Sequence, residues 1–448
     1  MRSRWTLLTM TALTATLVVG AALAHPGRDL SPQFTAQATQ FQAAVAAAKK
    51  LGKAPKTSAP CIRGMAAGTY PCSGVDLLSH LSLEDLGVSF VNDIWGWTDP
   101  STKNDYALVG AIEGTVIVDI SDPKRPDIVG TLPAHTLDPD FPFWRDIKVY
   151  ADHMYVVSEQ TDHGLQVFDL TTVRGVTGAP VTFAETAHYD DFSWAHNLNI
   201  NTETGYAYVV GSNTCAGGLH MVDIRAPASP AFAGCFAEQG YIHDTQCVVY
   251  RGPDAEHRGR ELCFNSAAEF VGPTIEDIVN TVSIVDVTNK AAPVILSVSG
   301  YPNAGYSHQG WLTPDQRFFL HGDELDEELR GVNTTTRIWD VRDVDGLKLH
   351  GVFENTTASI DHNLYTQGDV AYASNYTSGL RLYDTRLVAQ GRLAEIGFFD
   401  VYPENDDPTF EGGTWSNYAY FGQKKVVAVS SMDRGLFVVR PHVGAGGN

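Results

Sequence analysis

The sequence predicts an all-β fold: a seven-bladed β-propeller of four-stranded blades, closed by an N-terminal outer strand. Three observations carry this. A short alternating apolar phrase that ends in Asp recurs as GTVIVDI (114–120), GLQVFDL (164–170), GLHMVDI (218–224), VSIVDV (282–287), TRIWDV (336–341) and GLRLYDT (379–385), with a seventh copy, GLFVV (435–439), lacking the Asp. Successive Asp residues lie 50, 54, 63, 54 and 44 positions apart, the spacing of a four-stranded blade and not of a helical solenoid. Between the copies β-branched and aromatic residues alternate, with no helical periodicity.

Each blade can be laid out around that phrase. Upstream sits a second strand such as YALVG (106–110), MYVVS (154–158), AYVVG (207–211), AYASN (371–375) or VVAVS (426–430). Before it comes an inner strand: NDIWGW (92–97), RDIKVY (145–150), HNLNIN (196–201), HDTQCVVY (243–250), HQGWLT (308–313) or HNLYTQ (362–367). Downstream, often after Pro, lies a fourth strand: PDIVGTL (126–132), PAFAGCF (230–236) or PVILSVSGY (293–301). The seventh copy is followed only by a short tail, so its blade lacks an outer strand. VDLLSHLSL (75–83) has the pattern of one, and pairing it beside 435–439 would remove two exposed sheet edges.

Residues 1–24 read as a secretory signal, with Arg2 and Arg4, an apolar run from Leu7 to Leu23 and a small-residue end at Ala22–Ala24. Residues 25–60 form a pre-segment, Ala- and Gln-rich and helical from Gln33 to Leu51, then a Lys/Pro linker. The propeller spans 61–440 and a flexible tail 441–448. No other run is apolar enough to cross a bilayer, so a secreted or periplasmic chain with no membrane span after cleavage is expected. The formal net charge is −21, and loss of the signal makes it more negative. That repels phosphate backbones, so no nucleic-acid partner is expected. Six cysteines in an exported chain suggest disulfides. Six allow fifteen pairings. The simplest are local: Cys61 with Cys72, Cys215 with Cys235, and Cys247 with Cys263.

The repeated VIVD-type phrase resembles that of LVIVD-repeat proteins. The fuller pattern is similar to the bacterial choice-of-anchor B family of surface or secreted proteins. The segments that carry the resemblance are CIRGMAAGTYPC (61–72), NDIWGWTDP (92–100), YIHDTQCVVYRGPD (241–254), HQGWLT (308–313) and HGDELDE (321–327), and it covers about 61–440. No C-terminal anchor follows Arg440, which favours free secretion or periplasmic residence. The family label implies no chemistry, so function has to come from the site.

Aligned inner strands place Asn92, Arg145, His196, His243, His308, His362 and Trp415 at one equivalent first position around a channel mouth. The second position is polar throughout: Asp93, Asp146, Asn197, Asp244, Gln309, Asn363 and Ser416. Blade five's turn adds Asp323, Glu324, Asp326 and Glu327 on the same face. Converging imidazoles and carboxylates suit calcium or a transition metal, with His196, His243, His308, His362, Asp244, Asp323 and Glu324 as the candidate ligands. The alternative is structural: loop His and Asp residues pin neighbouring strands. Tryptophans are expected near that mouth too (Trp95, Trp97, Trp144, Trp194, Trp311 and Trp415). Of these Trp95, Trp144, Trp194 and Trp311, with Arg145, are candidate ligand contacts; filling gaps between blades is the competing role. His257 is placed on an exposed loop. His25, as a mature N-terminus, offers a weak copper chelate with no other support.

No P-loop, dinucleotide fingerprint or G-x-S-x-G occurs, so no nucleotide or flavin is expected. The leading expectation is a monomeric extracellular binding module whose metal-stabilised face recognises a glycan, peptide or small ligand. A metalloenzyme with a four-histidine redox or hydrolytic centre is the second. Carotenoid-cleaving oxygenases hold iron that way on a seven-bladed propeller, an analogy between folds alone. A structural surface platform is the third.

Overall fold

A computed structural model of the chain describes residues 32–48, 58–137, 144–272, 274–422 and 425–442. The expected signal, the Lys/Pro linker, His25 and the last six residues of the tail lie outside the described residues. Seven antiparallel four-stranded units form a propeller ring. Their inner strands are Val91–Thr98, Arg145–Tyr150, Asn197–Asn201, Ile242–Val249, Ser307–Leu312, Leu364–Gln367 and Thr414–Tyr418, defining blades one to seven. The face where these strands begin is called upper here, the face where they end lower.

The ring closes as the sequence predicts. Val75–Leu81 pairs antiparallel with Gly435–Pro441, from Val75 opposite Pro441 to Leu81 opposite Leu436, and supplies blade seven's missing outer strand. The chain reaches that strand along blade six, where Tyr70–Ser73 pairs with Ala394–Phe399. One short segment therefore staples blades six and seven. All three local disulfides form: Cys61–Cys72 within this segment, Cys215–Cys235 in blade three, and Cys247–Cys263 across paired strands of blade four. Such bonds persist in oxidising compartments. Among the described residues no helix is long and apolar enough to cross a membrane.

The repeated Asp has a local physical role. In all six copies its carboxylate accepts from the backbone N–H two residues on, at 2.7–3.0 Å: Asp119, Asp169, Asp223, Asp286, Asp340 and Asp384. This is an Asx turn, which swings the chain out of the third strand. In blade seven the position is Arg440, and there the chain continues past Pro441 without needing to turn into a fourth strand.

Two departures were not legible. Blade two's outer strand is only Ala187–Tyr189, because the chain first sends Val181–Thr182 to run parallel along blade one's outer strand. Gly130 makes room there: a Cβ at that position would lie 2.2 Å from the Val181 carbonyl oxygen.

Closure also carries a titratable group. His80, on the closing strand, lies flat on Phe437 with ring centroids 3.8 Å apart. Its Nε2 donates to the Arg434 carbonyl at 2.7 Å, and Nδ1 faces the Tyr70 hydroxyl at 3.3 Å. Burial pushes the imidazole down from 6.5 to about 4, against the pull of the Arg434 carbonyl. Between those values the unfolded chain binds the extra proton, so stability falls as pH drops through that window. His80 alone should account for about 3 kcal/mol of that loss. Replacing it by Gln, which keeps a donor and an acceptor, should flatten the acid limb of stability measured by chemical denaturation; an unchanged slope would show that His80 is not buried neutral.

Candidate metal centre at the upper mouth

The inner strands of neighbouring blades are tied by side chains reaching the next strand's backbone. Asp93 accepts from Ile147 N–H at 3.1 Å, Asp146 from Leu198 at 2.6 Å, and Gln309 from Leu364 at 3.0 Å. In blades three and four the work moves two residues along the same strand face, to Asn199 on Cys247 (3.0 Å) and Gln246 on Leu312 (2.7 Å). Asn197 also reaches blade four, its Nδ2 donating to the His243 carbonyl at 3.0 Å, so the polar second position is a pin in blades one, two, three and five, and Asp244 is released from that role.

Above this layer the first positions form an arc. Ring centroids are 4.2 Å apart for His196 and His243, 4.2 Å for His243 and His308, and 4.4 Å for His308 and His362; Trp415 stands 4.7 Å beyond. All four imidazoles are buried, none more than 8% exposed. Three of them use Nδ1 for a fixed acceptor: His243 on the His308 carbonyl (2.8 Å), His362 on the Trp415 carbonyl (2.5 Å) and His196 on the Glu159 carboxylate (2.5 Å). A carbonyl can only accept, so Nδ1 carries the proton and Nε2 keeps its lone pair. His308 Nδ1 has no hydrogen-bond partner among the described residues.

Glu324 completes the group. Its Oε1 lies 3.7 Å from Nε2 of both His308 and His362 and accepts from the Tyr376 hydroxyl at 2.8 Å. Ligand atoms of His243, His308 and Glu324 all fall within 4.8 Å of one another. Burial pushes the Glu324 carboxyl up to about 7. Burial also drives His362 down to about 3 and His308 well below its ordinary value, helped at His308 by the neighbouring imidazoles. At His196 burial opposes the charge, but the Glu159 carboxylate outweighs it and raises the proton affinity. Neutral imidazoles facing a carboxylate are a donor set that accepts a cation readily.

The remaining expected residues divide. Asp244 sits one layer below, pushed up to about 7 by burial and by Asp146. Lys148 neutralises that middle layer, bonded to Asp146 and 3.7 Å from Asp93. Asp323 is not directed at the mouth; it accepts from the Tyr301 hydroxyl and from the Gly305 and Tyr306 N–H groups at 2.7–2.9 Å. Arg145 is bound to the Ala111 and Ile112 carbonyls and to His163, which makes it a brace between blades one and two. Trp95, Trp97 and Trp311 do not gather at this mouth. Each lies three or more residues further down its strand: Trp97 donates to Asp152 in a lower-face turn, while Trp95 and Trp311 line a cavity of about 360 Å³ at the lower mouth. Trp194 lies in an upper-face loop of blade three, its backbone hydrogen-bonded to Asn213. His257 is buried and bonded to Asp345 at 2.8 Å, not exposed.

Glu159 and Tyr376 escaped the sequence reading, yet a signal was present. Each directly follows the last residue of its blade's second strand, as Glu324 does. The larger surprise is the N-terminal helix, Pro32–Ala48. Phe41 enters the upper mouth, with ring centroids 5.4 Å from Trp144, 5.3 Å from Phe410, 5.9 Å from Trp415 and 6.3 Å from Phe90. Gln40 accepts from the Phe410 N–H at 2.8 Å. Trp144 and Trp415 therefore serve as the seat of a helical plug.

The LVIVD repeat matches residues 99–132 and 198–237, the outer part of blade one and most of blade three. The chain is a seven-bladed β-propeller that carries LVIVD repeats in blades one and three. No curated protein matches it. Among solved structures, the crystal structure of the computationally designed Ika8 protein is similar over 78% of this chain and 82% of its own, at 10% identity and a TM-score of 0.46.

Among the described side chains the plug buries Phe41, Ala44 and Ala48, of which Phe41 is the large one, and a helix of this length is marginal by itself in water. Phe41→Ala should release it: protease should cut within 32–57 and the fluorescence of Trp144 and Trp415 should shift to the red, while the ring's melting temperature holds. A variant that stays protected would show that the helix docks without Phe41.

Proposed function

We propose that this is an exported metal-binding propeller that holds one transition-metal ion at its upper mouth on His196, His243, His308 and His362, with Glu324 as an added oxygen ligand. The observation that carries the reading is the use of Nδ1. Three imidazoles donate it to a carbonyl or carboxylate in neighbouring structure, which orients each ring and leaves Nε2 as the ligand atom; metal-bound histidines are held in the same way. Four nitrogens and one carboxylate suit iron, copper or zinc better than calcium, whose ligands are oxygens. The surface setting of the choice-of-anchor B proteins, which the chain resembles at 61–72 and 321–327, supports a binding role outside the cell.

Elemental analysis of protein purified without chelator should find about one iron, copper or zinc per chain. His308→Ala should abolish it, and Glu159→Gln should weaken the affinity by about 10- to 100-fold by loosening His196. His350→Ala, on blade five's outer strand, should change nothing. Iron or copper would extend the reading to redox catalysis. A metal content equal in the wild type and His308→Ala would leave a purely structural arc.

A second reading concerns the lower mouth. Its cavity is open to solvent and pairs the faces of Trp95 and Trp311 with Tyr420, Lys148, Asn199 and Gln246. Flat aromatic walls with a few hydrogen-bonding groups suit a small polar ligand such as a sugar. Lys148 already stands 4.5 Å over the Trp95 ring. Saccharides should quench tryptophan fluorescence saturably, and Trp311→Ala should abolish that binding with no loss of bound metal; quenching equal in the variant would remove the lower mouth from consideration.

A further inference from the structure

Behind Glu324, between blades five and six, lies a second cluster. The short helix Asp326–Arg330 follows blade five's second strand and carries Asp326 and Glu327. Asp361 comes from the segment that leads into blade six's inner strand. Ligand atoms of the three carboxylates lie within 4.8 Å of one another. All three are buried: Asp326 and Glu327 are 1% exposed and Asp361 is 4%.

The hydrogen bonding around them is incomplete. Glu327 Oε1 accepts from the Thr335 N–H at 3.2 Å, and Asp326 Oδ2 from Arg337 at 2.7 Å. Among the described residues no donor reaches Asp326 Oδ1, Glu327 Oε2 or either oxygen of Asp361. Buried carboxylate oxygens without donors are costly, because nothing replaces the water they lose. The space is also shaped for Asp361: a Cβ on Gly322 would stand 2.3 Å from its Oδ2, so only glycine lets that carboxylate approach the strand. The one guanidinium here, Arg337, is shared with Asp323 as well, so the cluster holds more negative charge than its cation offsets.

We propose that Asp326, Glu327 and Asp361 bind one calcium-class divalent cation between blades five and six. The donors are all oxygen, the preference of hard cations. Oxygens bound at 2.3–2.6 Å on opposite sides of one calcium ion lie at most about 5 Å apart, which matches the span of this cluster. The ion would tie the turn of blade five to the strand of blade six directly beside Glu324, His308 and His362. This site does not depend on the imidazole reading, since the two share no ligand and differ in donor type.

The alternative to a cation is a proton: burial first, then neighbouring carboxylates (Asp323 at Asp326, Asp361 and Asp326 at Glu327, Asp326 and Asp323 at Asp361), push all three carboxyls up, so shared protons could neutralise them. Calorimetric titration separates the two. Full-length exported protein, stripped with chelator and titrated at neutral pH with calcium, should bind one ion per chain and melt at a higher temperature with calcium than without. Manganese should compete for the same site. Asp361→Asn and Glu327→Gln, each first shown to be folded by circular dichroism, should lose this binding, and His308→Ala should keep it. Should Asp361→Asn fail to fold, Glu327→Gln leaves Asp361 and Arg337 in place and carries the same comparison. Wild-type protein that takes up neither calcium nor manganese would overturn the proposal in favour of shared protons. Calcium binding that survives in the folded variant would overturn it too, by placing the ion elsewhere. Loss of the imidazole-bound metal in His308→Ala with calcium binding intact would show that the two sites stand or fall separately.

Discussion

The pairing of Val75–Leu81 with Gly435–Pro441 is the contact on which the rest of this molecule depends. A sheet edge leaves backbone donors and acceptors without partners, and a ring of sheets removes that problem only if its last unit is completed by the other end of the chain. Here one segment does this twice, first along blade six and then as the fourth strand of blade seven. Only when the ring shuts does blade seven come against blade one, and only then do seven strand beginnings face one axis. The arc from His196 to Trp415 is thus a product of closure: its members are spread over 220 residues of sequence and meet because of a strand more than a hundred residues before the first of them.

Along that axis the channel changes character in layers. At the top, four buried imidazoles sit under an aromatic seal in which Phe41 meets Trp144, Phe410 and Trp415. In the middle, Asp93 and Asp146 share Lys148. At the bottom, Trp95 and Trp311 open toward solvent. Buried polar groups persist only where each finds a partner. Most of these carboxylates and amides find theirs in the backbone of the next blade. Among the described residues several polar atoms in different blades lack a partner, and one group of them lies at Asp326, Glu327 and Asp361.

The histidines also show that the roles of pin and ligand do not exclude one another. An imidazole has two nitrogens, and the protein employs them differently. Nδ1 of His243 and of His362 fastens one blade to the next, and that same bond aims Nε2 at Glu324's neighbourhood. The bond that pins the blade is the same one that would orient the ring toward the proposed ion. Glu159 does for His196 what the carbonyls do for the other two, with a charge in place of a dipole.

The local rules of this fold were legible in the sequence because they are local. An Asp that turns the chain two residues on, strands that alternate, cysteines 11, 20 and 16 residues apart and a recurring first-position histidine all act within one blade, so the repeat exposes them. The residue that completes each tie between blades was less accessible: Gln246 displaced Asp244 as the pin and Asn199 joined Asn197, since strand register decides which side chain meets a neighbour's N–H. Depth along the channel was misjudged for Trp95 and Trp311, because three residues of extended chain carry a side chain about 10 Å toward the opposite mouth. Tertiary structure alone brought Phe41 over the mouth and Asp361 against Asp326 and Glu327. Contacts between segments so far apart in sequence carry no period or spacing; they arise from the ring's curvature, which decides what stands beside what.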